Sequence, residues 1–340
     1  MTHALLPTSV SEPDLRILGV VSTSCTLDAE RHELFVRGLA HKCDRTPSLA
    51  LIVNVFDAQL SPSIGYEDQA RLVAAQTVGE LCAPANTSSS SIYTASLPAC
   101  VRGVSRVRGF KMATYKHVLT RELTSPYDFL WLFDNDMDVD ATRHFDLLGA
   151  IRTMAAANVL IAQPRVVHIN SSAHSAHAVM TLSGEDFSAL NGSDAFDDDN
   201  DLCTARAVSY VESQTPLFSR AGWDIFRDRM LIRLDDDRLQ LTDVGPDQVW
   251  CRMMELEMPS RPACAVLRAT IIHGDFRTVR SSGHQADLAS VALRSPAYML
   301  ETFPNYTDRY AACMSKRAGQ HSFDCFASVS RVPRMGCLST

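Results

Sequence analysis

Several features that mark common protein classes are missing from this sequence. It has no run of about 18 apolar residues, so no part of the chain is expected to span a bilayer. Basic side chains are fewer than acidic ones, 32 against 39, and the net charge of −7 argues against broad binding to nucleic acid or anionic membranes. No cysteines form a C-x-x-C pair, which argues against a zinc knuckle. The first residues lack the basic start and apolar core of a signal peptide.

Cysteines and glycosylation sequons are, by contrast, frequent. Ten cysteines are many for a cytosolic enzyme of this size, and three lie in a Ser- and Arg-rich tail where disulfides fit better than exposed thiols. Cys82 and Cys100 bracket a Ser-rich surface loop and are expected to staple it. These features favour the Golgi lumen, with an anchor outside this chain; the missing signal peptide leaves the cytoplasm as the alternative. About one N-x-S/T sequon is expected by chance, and four are present, at Asn86, Asn170, Asn191 and Asn305.

Apolar runs typical of strands alternate with segments of helical spacing. Buried strands are predicted from Leu15 to Cys25, from Ser48 to Gln59 and from Tyr127 to Phe133. Helices are predicted between them, over residues 66–81 and 110–123 among others. The alternation predicts an α/β fold in which helices cover both faces of a mostly parallel sheet.

Polar segments divide the chain. Residues 1–14 are expected to be a flexible leader, and residues 170–202, polar and acidic with little periodicity, an inserted loop or lid. Residues 15–280 are expected to form one domain. Residues 281–340 are expected to be a Cys-containing helical extension that packs on this domain.

One strand-like segment runs directly into a series of acidic residues, YDFLWLFDNDMDVD. Carboxylates this close together repel one another unless a positive charge lies between them. One explanation is a divalent cation at the carboxyl end of a strand, and the other is a solvated acidic loop. The acidic residues alternate along the chain, at Asp134, Asp136, Asp138 and Asp140.

Three kinds of site use such a pattern. A calcium EF-hand is excluded, because its loop needs Gly and Glu where this chain has Val139 and Phe145. A phosphatase of the haloacid dehalogenase type has D-x-D after an apolar strand, but there the motif usually opens the domain. In a nucleotide-sugar transferase, D-x-D at a strand end holds a divalent cation that bridges both phosphates of the donor. The order of two early strands, a helix and then the strand ending at Asp134 fits the transferase best.

Five short motifs occur in order along the chain. They are GFKMATYKHVLTRELTSPYDFLWLFDND, IAQPRV, VESQTPLFSRAGW, VGPDQVW and ATIIHGDF. With them the chain resembles metal-dependent glycosyltransferases of the GT-A fold. More narrowly, roughly residues 15–280 resemble a largely uncharacterised glycosyltransferase-like domain family of plants and algae. The resemblance implies an α/β fold of GT-A type, with a mixed, mostly parallel central sheet flanked by helices and a Rossmann-like nucleotide-binding half.

The resemblance also implies a metal site. Asp136, the second acid of D-x-D, is the expected main ligand of Mn²⁺ or Mg²⁺, with Asp134 bound to the metal or its water shell. His273, which ends a late strand, is the expected third ligand.

For the donor, the resemblance implies a nucleotide sugar, with a UDP-sugar favoured. Asp134 is expected to contact the donor ribose, and Asn135 to take part in donor binding. Asp57, at the end of the second strand, is expected to bind the base or ribose. Lys111 is expected to neutralise phosphate. The expected acceptor is a hydroxyl of a glycan or glycoprotein.

Two acidic residues are candidates for the catalytic base. Asp247 lies at a helix start and would deprotonate the acceptor hydroxyl if the enzyme inverts, and Glu212 is the competing base. The family usually has DED and GWGLD where this chain has DND and DVGPDQ, so a Trp of the acceptor pocket is missing. A non-catalytic glycan- or metal-binding protein on the same scaffold, and the phosphatase, therefore stay as alternatives.

Overall fold

The computed structural model describes eight stretches of the chain: residues 15–58, 64–82, 95–137, 145–168, 203–240, 245–274, 298–307 and 337–338. Some predictions fall outside these stretches. They concern the leader, the loop at residues 170–202, Asp138 and Asp140, and the sequons at Asn86, Asn170 and Asn191.

The described strands form one sheet that helices cover on both faces, which confirms the predicted α/β class. The strands are β1 (Ile17–Thr23), β2 (Leu49–Val55), β3 (Val101–Ser105), β4 (Phe129–Asp134), β5 (Ile161–His168), β6 (Ala205–Ala207), β7 (Leu217–Ser219) and β8 (Cys264–His273). The helices are α1 (Ala29–Arg45), α2 (Tyr66–Ala70), α3 (Gly79–Cys82), α4 (Lys111–Val118), α5 (Arg121–Thr124), α6 (Leu147–Ala156), α7 (Arg220–Arg229), α8 (Asp236–Leu239) and α9 (Pro246–Glu257), with a 3₁₀ turn at Leu231–Arg233.

The sheet is mixed but mostly parallel, as predicted. Its strand order is β3-β2-β1-β4-β7-β5-β8-β6, and β6 and β7 run antiparallel to their neighbours. Strand β1 pairs in parallel with β2 on one side and with β4 on the other. The chain first builds outwards through β2 and β3 and then crosses to β4, so a topological switch point lies between β1 and β4. Open α/β sheets bind ligands at the carboxyl edge beside such a point.

Alternation along the strands places side chains on two packed faces. Trp131 of β4 packs with α1 and α6 on one face, while Leu130 and Leu132 pack with α4, α7 and α9 on the other. Because both faces are covered, β1, β2 and β4 are apolar along most of their length, which made them recognisable in the sequence. Trp223 and Trp250 are fully buried in the second cluster.

The helix predicted over residues 66–81 is wrong in its middle. Helix α2 ends at Ala70, and Val73 instead exchanges two backbone hydrogen bonds with Val104 of β3, at 2.9 and 3.0 Å. Strand β3 is an edge of the described sheet, and pairing satisfies backbone groups that an edge leaves open.

The helix predicted over residues 110–123 is divided in two. Helix α4 ends at Val118, and the short helix α5 starts anew after Thr120, whose side chain accepts a hydrogen bond from Leu123 N. A Thr in this position favours a new helix start over continuation.

The predicted staple between Cys82 and Cys100 is wrong. Cys82 in α3 is bonded to Cys25, which follows β1, and Cys100 is bonded to Cys43 in α1. Each disulfide thus connects a segment next to β1 with a segment next to β3, and β2 lies between these two strands. Two further disulfides join Cys203 to Cys337 and Cys251 to Cys264.

Replacing Cys43 and Cys100 together by serine is expected to lower the free energy of unfolding by about 2–4 kcal/mol. The two cysteines are 57 residues apart, so their bond restricts a long loop of the unfolded chain. Urea unfolding of the double variant and the native protein, without reductant, measures the difference. An unchanged unfolding midpoint at unchanged slope would contradict this role.

Parts of the predicted C-terminal extension contact the domain. Met299 and Phe303 are buried in the second apolar cluster, and Cys337 pairs with Arg206 in an isolated bridge beside β6. None of the helices in the described residues has the length and apolar character needed to cross a membrane.

Candidate active site

Strand β4 delivers the first acid of the D-x-D motif to the carboxyl edge of the sheet. Asp134 is the last residue of β4 and lies opposite Ser22 of β1, directly at the switch point. Its backbone N–H donates to the carbonyl of Gln214, 3.0 Å away, in the segment that precedes β7. The strand and this segment together hold Asp134 at the edge of the core.

Lys111 supplies the positive charge next to Asp134. Its Nζ lies 2.9 Å from Oδ1 and 3.2 Å from Oδ2 of that carboxylate. Lys111 opens α4 directly after a turn at Gly109, whose φ of +100° residues with a side chain rarely adopt. A Cβ at Gly109 would also lie 2.8 Å from the Leu239 carbonyl oxygen. Burial raises the pKa of Asp134, and the charge of Lys111 opposes that rise.

A tight turn brings the second acid of the motif against the end of β8. The N–H of Met137 donates to the Asp134 carbonyl at 3.1 Å, and the N–H of Gly274 donates to the Asp136 carbonyl at 2.7 Å. Met137 and His273 form an isolated antiparallel bridge. Asp136 and His273 are therefore neighbours although they are distant in sequence, and their Oδ2 and Nε2 atoms lie 3.3 Å apart.

Asp136 and His273 have the spacing of two adjacent ligands of one metal ion. Octahedral coordination with bonds of about 2.1 Å puts neighbouring ligand atoms about 3 Å apart. A distance of 3.3 Å fits this geometry, and it also suits a hydrogen bond in the metal-free protein. In the described part of the chain, no three His, Cys, Asp or Glu side chains are grouped closely enough to complete a site. Water or phosphate oxygens would fill the other positions, as is usual for Mg²⁺.

A second acidic cluster consists of Glu212, in a buried segment without regular structure, and Asp247, at the start of α9. The Tyr210 hydroxyl donates to Oδ2 of Asp247 at 3.2 Å, and Asp247 lies in the first turn of α9, where the helix dipole favours a carboxylate. The N–H of Glu212 donates to Oε1 of Gln163 at 2.5 Å. The side chains of Glu212 and Asp247 are both buried.

The pKa of Glu212 depends on charges in both acidic clusters. Burial, and then repulsion by Asp247, raise the pKa of Glu212 well above its ordinary value, while Lys111 lowers it and Asp134 raises it further. Burial, Asp247 and Glu212 likewise raise the pKa of Tyr210. Glu212 therefore lies within electrostatic range of both the Lys111–Asp134 pair and Asp247.

The structure brings together most, but not all, of the predicted site residues. Asp57 lies two residues beyond β2, and its carboxylate accepts hydrogen bonds from Ser24 Oγ at 2.5 Å and from Cys25 N at 2.6 Å. Two strand spacings, roughly 10 Å, separate the ends of β2 and β4. Asp57 thus shapes the loop after β1 at a distance from the other acids. Asn135 lies in the D-x-D turn and is partly exposed.

Sequence reasoning missed Tyr210, Gln163 and Gln214. For Tyr210 and Gln214 the signal is the segment YVESQTPLF, in which four consecutive polar residues lie between apolar ones and almost every residue is buried. Gln163 lies outside this segment, in β5. Buried loops carry backbone and side-chain polar groups that need partners. Such a segment therefore points to polar contacts at a site.

Glu212→Gln is expected to become more stable relative to the native protein as the pH rises. A raised pKa in the fold means that Glu212 loses its proton in the unfolded chain first, so above about pH 4.5 ionisation favours unfolding. The difference in unfolding free energy should grow by about 1.4 kcal/mol for each pH unit in which only the unfolded chain ionises. Urea unfolding of both proteins from pH 4 to pH 8 measures it. A difference that stays constant over this range would show that Glu212 is not held protonated.

A protein-family model matches part of the chain. The model described as "Protein of unknown function (DUF707)" matches residues 103–232, fewer than half of the 340 residues. The matched segment contains Lys111, Asp134, Asp136 and Glu212, whereas Asp247 and His273 lie beyond it. No curated protein matches the chain.

Several solved structures are similar to the chain at low sequence identity. A mannosyltransferase from Pyrobaculum calidifontis, PcManGT, in complex with GDP-Man and Mn²⁺, is 13% identical, with a TM-score of 0.45 over 92% of this chain and 73% of that one. S. aureus TarS 1-349 is 10% identical, with a TM-score of 0.43 over 93% of this chain and 90% of that one. A longer TarS structure is 10% identical, with a TM-score of 0.43 over 89% of this chain and 46% of that one. TM-scores below 0.5 are too low to carry an inference about function.

Proposed function

We propose that the protein is a glycosyltransferase that moves a sugar from a nucleotide-sugar donor, a UDP-sugar in the favoured case, to a hydroxyl of a glycan or glycoprotein. The observation that carries the proposal is the 3.3 Å separation of Asp136 and His273 beside the Lys111–Asp134 pair, at the switch point of the sheet. Open α/β sheets bind nucleotides at this edge. A carboxylate, an imidazole and a lysine at one edge suit a metal-bound diphosphate.

Asp136 and His273 would hold Mn²⁺ or Mg²⁺, and Asp134 would contact a water molecule bound to the metal rather than the metal itself. The cation, when bound, supplies positive charge that stabilises the departing diphosphate. Lys111 would add a second positive charge next to the same phosphates. Both charges act where negative charge develops as the bond between the sugar and the diphosphate breaks.

Asp247 is the proposed base. The oxygen of the acceptor hydroxyl would form the new bond to the anomeric carbon while the bond to the diphosphate oxygen breaks, and Asp247 would take the hydroxyl proton. Asp247 accepts a hydrogen bond from the Tyr210 hydroxyl and lies in the first turn of α9. Glu212, whose raised pKa favours the protonated acid, is better suited to bind a substrate than to act as the base.

Two side chains of the buried segment that precedes β7 have hydrogen-bonding atoms suited to binding a sugar. Oε2 of Glu212 and Oε1 of Gln214 are buried and have no hydrogen-bond partner among the described residues. Buried acceptors without a donor destabilise a fold unless a ligand supplies one. Sugar hydroxyls are donors of this kind, so we assign Glu212 and Gln214 to a sugar-binding role.

The proposed location is the secretory pathway, with the Golgi lumen as the compartment where such acceptors are made. Disulfides persist in oxidising compartments, and the described cysteines are all paired. The sequon at Asn305 lies in an exposed turn, where a glycan can be accommodated.

Thermal unfolding with UDP, GDP and CMP, each with and without Mn²⁺, tests the proposal. A nucleotide at about 100 times its dissociation constant stabilises the fold by about 2.7 kcal/mol, a readily measured shift. We expect UDP to stabilise only with Mn²⁺. A protein that no nucleotide stabilises, and that releases phosphate from simple phosphate esters, would instead be a phosphatase.

A further inference from the structure

Helix α1 carries a lysine on its apolar face. Phe35, Leu39 and Lys42 follow each other at the helical spacing that places them on one side of α1, and the first two are core residues. Lys42 is only 7% exposed. Lysine is almost never buried to this degree unless its charge has partners. Its place in the core therefore calls for an explanation by contacts.

The charged end of Lys42 reaches the turn that contains the D-x-D motif. Its Nζ lies 3.1 Å from the Met137 carbonyl oxygen and 3.5 Å from that of Gly38. It also lies 5.9 Å from the centre of the Trp131 ring and 5.7 Å from that of Phe133, within the range of cation–π contacts. Both rings belong to β4, the strand that leads into the motif.

Met137 links the two halves of the proposed metal site. It directly follows Asp136, its N–H closes the turn on the Asp134 carbonyl, and its backbone bridges to His273. Most of these contacts join backbone atoms and would form with many sequences. The contact from Lys42 comes from a side chain, so the sequence at one position of α1 can strengthen or weaken the turn.

We propose that Lys42 is a positioning residue that fixes the Asp134–Met137 turn and thereby sets the metal affinity of Asp136 and His273. The metal part of this inference rests on the proposed function. The lysine approaches from the face of the sheet that carries α1, whereas Lys111 approaches from the face that carries α4. Replacing a side chain that holds metal ligands in place commonly lowers metal affinity by 10- to 100-fold.

Hydrogen exchange of the metal-free protein tests the positioning directly. In Lys42→Met, which keeps the apolar stem, we expect the amides of Met137 and Gly274 to exchange at least about tenfold faster than in the native protein. The amide of Ile161, bonded to Ala263 in the core, should exchange at the native rate. Lys42→Arg, which keeps charge and donor, should restore the turn amides to within about threefold.

Lys116→Met is the matched control, because this partly buried lysine contacts the Leu234 carbonyl and Asp236 away from the turn. It should leave the turn amides unchanged. Native rates at Met137 and Gly274 in Lys42→Met, or equal acceleration at Ile161, would overturn the proposal.

Titration with Mn²⁺ alone adds a readout of the metal. Lys42→Met should weaken Mn²⁺ binding about tenfold, whereas Lys116→Met should bind as the native protein does. An unchanged Mn²⁺ affinity in Lys42→Met would overturn the link to the metal. If the native protein and Asp136→Ala bind Mn²⁺ equally weakly, the proposed function fails, while the exchange rates still decide whether Lys42 holds the turn.

Discussion

Asp136→Ala is expected to abolish the stabilisation of the protein by UDP and Mn²⁺. The variant removes one of the two buried groups that lie 3.3 Å apart at the proposed metal site. Without the carboxylate, His273 alone would hold the cation weakly, and the diphosphate would lose its main positive partner. The expected loss is the full stabilisation of about 2.7 kcal/mol that a nucleotide gives at about 100 times its dissociation constant. Thermal unfolding with UDP, with and without Mn²⁺, measures it.

Asp128→Ala is the matched control for this variant. Asp128 lies next to the start of the same strand, where it forms an exposed ion pair with Arg16 and also accepts a hydrogen bond from the Arg16 N–H at 2.9 Å. Removing an exposed pair of this kind changes stability little. The control should therefore keep the full stabilisation by UDP and Mn²⁺. Asp136→Ala that is stabilised like the native protein would show that the cation, if one binds, does not depend on the D-x-D motif.

Asp247→Asn is expected to lower kcat by about 10²- to 10⁴-fold, the usual contribution of a general base. Asparagine keeps the shape of the side chain and its place in the first turn of α9 but cannot accept the acceptor proton. Because Asp247 is not among the proposed metal ligands, the stabilisation by UDP and Mn²⁺ should stay at the native level. Steady-state transfer to a glycan acceptor, measured as release of UDP, gives kcat and KM separately.

Asp237→Asn serves as the control, since Asp237 also lies in the first turn of a helix, α8, and is not among the proposed site residues. It should keep native kcat. A loss of kcat in Glu212→Gln that Asp247→Asn does not share would reverse the assignment of the base. A parallel loss of nucleotide binding in Asp247→Asn would show instead that this residue holds the site together.

The parts of the fold that followed from sequence are those in which one local pattern determines the structure. Strands β1, β2 and β4 are continuous apolar runs because helices cover both faces of the sheet. The start of α9 at Pro246 follows from the fixed φ of proline, which suits the first turn of a helix.

The parts that sequence predicted wrongly depend on contacts between distant segments. The segment after α2 has helical spacing, but Val73 gains two backbone hydrogen bonds by pairing with Val104. The disulfides join α1 and the loop after β1 to the region of β3, and pattern alone does not determine which cysteines meet. Tertiary contacts therefore override local preference at both places.

The sequence allowed several residues of the candidate site to be named, but it did not predict how they are arranged. The D-x-D motif was visible as acids following a strand, but only the fold shows that the turn carries Asp136 to His273. Lys42 was not predicted as a site residue. Its position follows only from the fold, which places its Nζ 3.1 Å from the Met137 carbonyl oxygen.

A crystal grown with MnCl₂ and UDP, with diffraction recorded at the manganese absorption edge, tests the central claim most directly. Anomalous scattering locates the cation without any assumption about its ligands. We expect a single strong peak about 2.1–2.3 Å from both Asp136 Oδ2 and His273 Nε2, next to the diphosphate. A peak elsewhere, or UDP bound at this edge with Asp136 and His273 in contact with each other and no manganese between them, would contradict the account.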